Sequence, residues 1–305
     1  MGTQPNPRIT GNTDSPQGLA FALAAYVMWG FLPLYMKQLS HIPAVEVVAH
    51  RVIWSVPLAA ALLVVLGRTG DLRRALTQPR TLAQACLTAA LISVNWGIYV
   101  WAINSGHALD AALGYYINPL FSVFLGAVFL GERLNRAQIV AIALAAVAVV
   151  VLTLQAGRLP WAAVGLTLSW GAYAFFKKSL PVGPNQGFLL EVLILTPAAL
   201  ACIAWLSASG AGHFGGVPID TTLLLGCGLI TAAPLIAYAN GAKLLRLSTI
   251  GILQYITPTM IFLTAVFLFG EPMGQARMIA FPMIWVALGI YSAAMLQQVR
   301  RRRTP

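Results

Sequence analysis

The chain has 305 residues, of which 59% are hydrophobic and 9% charged, with a mean hydropathy of +0.78. A soluble domain carries roughly 25% charge, so this composition excludes one and places the chain in a bilayer. The formal charge of +11 does not indicate nucleic acid, whose readers present a basic soluble face with stacking aromatics; here the cations lie in short connections between apolar runs, and no nucleic-acid partner is expected.

Residues 1–17 are polar and lead into an apolar stretch too long for a signal-peptide core and without a cleavage motif, which predicts an uncleaved first span. A bilayer crossing needs about 20 largely apolar residues. Ten stretches qualify, five of them in the first half: Gly18–Met36, Val45–Leu66, Leu82–Ile103, Ala111–Leu130 and Ala137–Leu154. The second five are Trp161–Phe176, Phe188–Leu206, Thr222–Ala242, Thr249–Phe269 and Ala276–Leu296. The predicted fold is an all-α integral membrane protein of ten transmembrane helices, with a basic tail over 298–305. Cations are retained on the cytoplasmic side. With both termini inside, only Lys37, Arg158 and Arg277 fall in outside connections, and Arg51 lies within the second span.

The stretch from Asp110 to Glu132 returns as Thr249 to Glu271. An offset of 139 positions lays Tyr116 on Tyr255, Ile117 on Ile256, Pro119 on Pro258, Gly131 on Gly270 and Glu132 on Glu271. Asp110 and Thr249 coincide and are both residue types that cap helix starts. A repeat this long marks two homologous halves, 18–156 and 157–297. Five spans per half is an odd number, so the halves enter the membrane in opposite directions. Inverted repeats are the architecture of secondary transporters, with the substrate near the midplane between halves.

The candidate site residues follow in chain order. Trp29 on the first span is echoed by Trp170 on the sixth, with Tyr173 one turn on. In the second span Glu46, His50 and Arg51 form a group costly to bury; a Glu46–Arg51 ion pair and a proton-sensing role for His50 are the two uses considered. Asn95, Trp96 and Tyr99 share one face of the third span, and Tyr99 coincides with Tyr238 at the same offset. Pro119 and Pro258 predict helix breaks, with Tyr116, Asn118, Tyr255 and Thr257 beside them, and freed carbonyls at membrane depth are tolerated only against protein or a wet cavity. The fifth span reads as lipid-facing. Ala141 and Ala145, like Gly289 and Ala293, are small residues four apart, so the expected state is a monomer or a weak homodimer. Cys86, Cys202 and Cys227 show no metal-ligand spacing and read as small core residues. No metal or cofactor is expected. No hydrolase elbow, paired aspartates or zinc motif is present either, so an enzyme is not expected. Without a carboxylate in mid-span, uncoupled transport is favoured over proton coupling.

Several motifs together resemble a known family: Ala49-His50-Arg51-Val52-Ile53-Trp54-Ser55, Asn95-Trp96, Leu113-Gly114-Tyr115-Tyr116-Ile117-Asn118-Pro119-Leu120, Gly131-Glu132-Arg133, Leu247-Ser248-Thr249-Ile250-Gly251 and Gln254-Tyr255-Ile256. The chain resembles the RarD branch of the drug/metabolite transporter superfamily, built from two EamA-type halves, and is similar to the amino-acid exporters of the YddG type. The resemblance implies a ten-helix bacterial inner-membrane carrier working by alternating access, with spans one to four and six to nine around the cavity. It also implies that Asn95, Trp96, Tyr99, Tyr116 and Asn118 line the path. The expected function is export of amino acids or similar small amphiphilic metabolites by facilitated diffusion. The alternatives are a proton-coupled drug or metabolite antiporter and a membrane protein that transports nothing. Tyr99→Ala and Tyr116→Ala are both expected to reduce flux with insertion intact.

Overall fold

The computed structural model describes residues 15–67, 69–130, 134–157, 159–242, 244–245, 249–250 and 253–301, and these contain helices and no strand. The Gly131-Glu132-Arg133 motif, Leu247, Ser248 and Gly251 lie outside the described residues, as do residues 1–14 and 302–305.

Helix α1 (Pro16–Gln38) starts at Ser15, whose hydroxyl accepts from the Gly18 N–H, with a proline in the first turn, where its missing N–H costs nothing. Helix α2 (Ala44–Val65) follows Pro43. A short amphipathic helix, α3 (Thr69–Thr77), then packs against α4 and α8, in the connection between the second and third expected spans. Helix α4 spans Pro79–Asn104 and α5 spans Ala108–Leu130. Helix α6 (Arg136–Ala156) opens on a reciprocal capping box between Asn135 and Gln138 and closes on Gly157, whose φ of 65° favours glycine. Then come α7 (Trp161–Ser179), α8 (Pro184–Ala208), α9 (Pro218–Ala242) and α10 (Ile256–Leu263). Helix α10 runs into a π-helical turn over Thr264–Leu268, and α11 covers Gln275–Arg301.

Eight of these helices (α1, α2, α4, α5, α6, α8, α9 and α11) are long and apolar enough to cross a membrane, against the ten spans expected. The sixth expected span is α7, which mixes Trp, Tyr, Ser, Thr and two Lys into 19 residues. The ninth is the shorter apolar segment Ile256–Leu268.

The principal packing joins the two halves rather than staying within either. Helix α1 lies against α9 and α10, α2 against α8 and α9, α5 against α7 and α10, and α4 against α7. Helices α6 and α11 pair with each other through Ala141, Ala145, Ala148, Phe281, Ile284 and Ala287, all buried. The small-residue stripe of α6 is therefore used inside the chain, while Ile139, Val140, Val147 and Val150 face outward. Close approach between halves depends on glycines at several crossings, two of them related across the halves. A Cβ on Gly30 would collide with Met260, and one on Gly171 with Phe121. Phe121 and Met260 are themselves related by the 139-position offset.

Four expectations need correction. Asp110 does not cap α5, because the helix starts at Ala108; the Ala108 and Leu109 N–H groups donate instead to the Glu271 carboxylate at 2.6 and 3.0 Å, and Asp110 accepts from Arg277 at 3.0 Å. Pro119 breaks nothing, since α5 runs through it. Pro258 falls in the first turn of α10, where proline is tolerated, so the interruption lies before it, at the turn over Gln254 and Tyr255. Cys86 is exposed and Cys202 half-buried, leaving Cys227 as the core cysteine.

Candidate functional site

A cavity of about 160 Å³ lies at the centre of the bundle, where first-half and second-half helices cross. Helix α1 supplies Tyr26, Trp29 and Leu32; α4 supplies Ile92, Asn95, Trp96 and Tyr99; α7 supplies Trp170 and Tyr173. Arg51 enters from α2, Tyr115 and Asn118 from α5, Phe188 from α8, and Thr231, Leu235 and Tyr238 from α9. The turn before α10 and its first residues add Gln254, Thr257, Pro258 and Ile261. None of the lining residues comes from α6 or α11.

The walls are aromatic and hold one another in place. Tyr26, Trp29 and Tyr238 pack mutually with centroids 5.7 to 5.9 Å apart. Across the cavity Tyr115 lies 5.9 Å from Tyr99 and edge-on to Trp170, which touches Tyr173. Such pairs favour tilted and edge-on geometry, which fixes ring orientation. Asn95 is buried and donates to Ser169 Oγ at 2.9 Å and to the Leu166 carbonyl at 3.2 Å. It thus ties α4 to α7 while remaining part of the wall.

Trp29, Asn95, Trp96, Tyr99, Asn118, Trp170, Tyr173 and Tyr238 are brought together here. Tyr116 and Tyr255 are not: they line a separate groove between α5, α10 and α11, together with Thr259, Phe262 and Trp285. The reason is helical phase. Adjacent residues on a helix point about 100° apart, so with Tyr115 on the cavity its neighbour Tyr116 turns away; in the turn before α10, Gln254 lines the cavity and Tyr255 the groove. Tyr116 shares a hydrogen bond with Thr259 Oγ1 at 2.8 Å and packs edge-on to Phe281 and Trp285. Tyr115 was missed because it has no tyrosine at its repeat position.

The α2 group also resolves differently from the expectation. Glu46 and Arg51 are five residues apart, a spacing that puts them on different helix faces, and they form no ion pair. Glu46 accepts from the His213 backbone N–H at 2.7 Å and pairs with its Nδ1 at 2.8 Å. Arg51 donates from Nε to Thr231 Oγ1 at 3.0 Å and stacks on Trp96, 4.6 Å from the ring centroid. His50 Nδ1 accepts from Trp54 Nε1 at 3.0 Å, so the ring's own proton sits on Nε2, and a second proton would break that bond. Phe214 stacks on the same imidazole at 4.8 Å.

Two features were outside the reach of sequence reasoning. One end of the bundle is cross-bridged by His41–Asp220 (3.0 Å), Glu46–His213 and Asp110–Arg277, with the His41 and His213 rings 6.0 Å apart. Tyr35 adds a 2.6 Å bond to the Leu223 carbonyl at this end. The second feature is Glu191. It reads as an end-of-span residue but is a buried carboxylate paired with Lys177 at 2.6 Å and accepting from the cavity's Tyr173 at 3.2 Å.

Membrane-spanning helices that enclose an aromatic, partly polar cavity suit a multi-pass membrane transporter, and the comparisons identify one. The EamA-like transporter family matches residues 16–154. A protein named Protein RarD from Streptomyces exfoliatus is 41% identical over 97% of this chain and 94% of its own length. Protein RarD of Escherichia coli K12 is 39% identical over 93% and 97%. An uncharacterized transporter, YojE, of Bacillus subtilis is 37% identical over 96% and 99%. A crystal structure 18% identical to the chain superposes with a TM-score of 0.61 over 92% of this chain and 97% of that one, which shows a shared fold. The chain belongs to the RarD branch of the drug/metabolite transporter superfamily.

Proposed function

We propose that the protein is an inner-membrane exporter of amino acids or similar small amphiphilic metabolites, working by alternating access as uncoupled facilitated diffusion. The observation that carries this reading is the central cavity, walled by helices of both halves and lined by aromatics, amides and hydroxyls. Its volume of about 160 Å³ is below the ~300–1,000 Å³ of sites for drug-sized ligands, which favours metabolites over drugs. The inter-half packing of α1 with α9 and α4 with α7, and the matched glycine contacts, support two inverted five-helix repeats. Under the cation bias, with both termini cytoplasmic, the cross-bridged end of the bundle faces outward and the ion pairs across it act as a gate between halves.

The test is uptake of labelled threonine, methionine, tryptophan and glutamate into liposomes holding purified protein, with and without an imposed pH gradient. Saturable flux of neutral amino acids that ignores the gradient is the expected result; absence of flux for the whole panel overturns the substrate class. A second reading, proton-coupled exchange, is favoured by one observation, the buried Glu191 bonded to the cavity's Tyr173. In that case flux follows the gradient and Glu191→Gln uncouples it.

A further inference from the structure

Among the described residues lining the central cavity, only Arg51 carries a full charge and none is acidic. An arginine does not shed its proton in a protein, and a buried cation without a counter-charge is strongly disfavoured. Yet Arg51 is 4% exposed and the nearby acids are committed elsewhere, Glu46 to His213 and Glu191 to Lys177 and Tyr173. What the protein gives Arg51 is neutral: the Thr231 hydroxyl on Nε and the face of Trp96 beneath the plane. Its Nη1 is buried without a hydrogen-bond partner.

Two more cavity residues carry buried atoms without a partner, the Tyr99 hydroxyl and the Asn118 Oδ1. Buried polar atoms are almost always paired, so three on residues lining one cavity point to a ligand. Nη1 and the Tyr99 O–H are donors, and they call for an anionic oxygen; Asn118 Oδ1 is an acceptor, and it calls for an N–H or O–H. A guanidinium held in plane by an aromatic face presents a fork suited to a carboxylate. A phosphate dianion wants a second cation, and the lining offers none. The remaining walls, with Tyr26, Trp29 and Trp170, suit an apolar body.

We propose that Arg51 and Tyr99 form a carboxylate subsite, so that the cavity selects small organic acids with an apolar portion, zwitterionic amino acids among them. This rests on the reading of the cavity as the transport site and names what that site holds.

The proposal is tested by binding, which does not depend on flux. Tryptophan fluorescence of the detergent-purified protein, with Trp29, Trp96 and Trp170 on the cavity, is titrated with leucine, 4-methylpentanoate, leucinamide and 3-methylbutylamine. The expected result is that the two acids bind about tenfold or more tightly than the amide and the amine, that Arg51→Gln abolishes the difference, and that Arg51→Lys retains part of it. Thr231→Val, which keeps the charge but frees the guanidinium, weakens acid binding and serves if Arg51→Gln fails to fold. Equal binding of acid and amide by the wild type, or acid preference that survives Arg51→Gln, overturns the subsite, as does inorganic phosphate displacing 4-methylpentanoate at equal concentration. No binding by any of the four compounds overturns it as well. Flux in liposomes is read separately: saturable flux without acid preference sinks the subsite and leaves the exporter, and acid-selective binding without flux does the reverse.

Discussion

Tyr99 and Tyr116 sit on neighbouring helices, each is matched by a tyrosine in the other half, and they ended in different compartments. Tyr99 and Tyr238 face the central cavity. Tyr116 and Tyr255 face a larger groove of about 420 Å³ between α5, α10 and α11, where Tyr116 is locked by Thr259, Phe281 and Trp285. The repeat therefore reports which side chains do equivalent work in the two halves, and not whether that work is binding or packing. The first pair lines the space the halves enclose, whereas Tyr116 of the second fastens α5 to α10 and to the outer helix α11.

The comparison is sharpest at Tyr99. Tyr99→Ala is expected to cut flux by about tenfold or more, a loss near 1.4 kcal/mol of interaction with the solute, and Tyr115→Ala to do the same although it has no repeat partner; uptake per inserted molecule measures both. Tyr116→Ala is instead a stability mutant, costing roughly 3 kcal/mol through the emptied site, seen as a lower thermal midpoint with flux per folded molecule unchanged. Glu46→Gln weakens the bonds that hold His213 at the cross-bridged end; with His213 partly exposed the loss is about 2 kcal/mol, expected to appear as increased labelling of a cysteine introduced at Phe214. The smallest effect belongs to the capping box: Asn135→Ala removes the α6 cap for about 1 kcal/mol, lowering thermal stability without touching transport.

Much of the fold could be read because a bilayer leaves few choices. Apolar runs long enough to cross it are helices, because a helix satisfies its backbone hydrogen bonds within one segment. Eight of the cavity's 20 lining residues could be picked out from the sequence, because Trp, Tyr and Asn inside such runs need a reason to be there. What stayed hidden depends on contacts distant in sequence or on helical phase. Glu271 caps a helix that starts 163 residues earlier, and His41 and His213 meet from two connections that no periodicity links. Arg51 was paired in expectation with Glu46, a neighbour in sequence on the wrong face, when its partner Thr231 lies 180 residues away. Tyr115 was passed over for Tyr116 because symmetry was read where phase decided.

The most direct test of the account is one paired flux assay: uptake of labelled neutral amino acid by Tyr99→Ala and Tyr116→Ala proteins in matched liposomes, normalised to folded protein. The account predicts that Tyr99→Ala loses transport and Tyr116→Ala keeps it. Transport retained by Tyr99→Ala and lost by Tyr116→Ala would move the path from the central cavity to the outer groove and contradict the account.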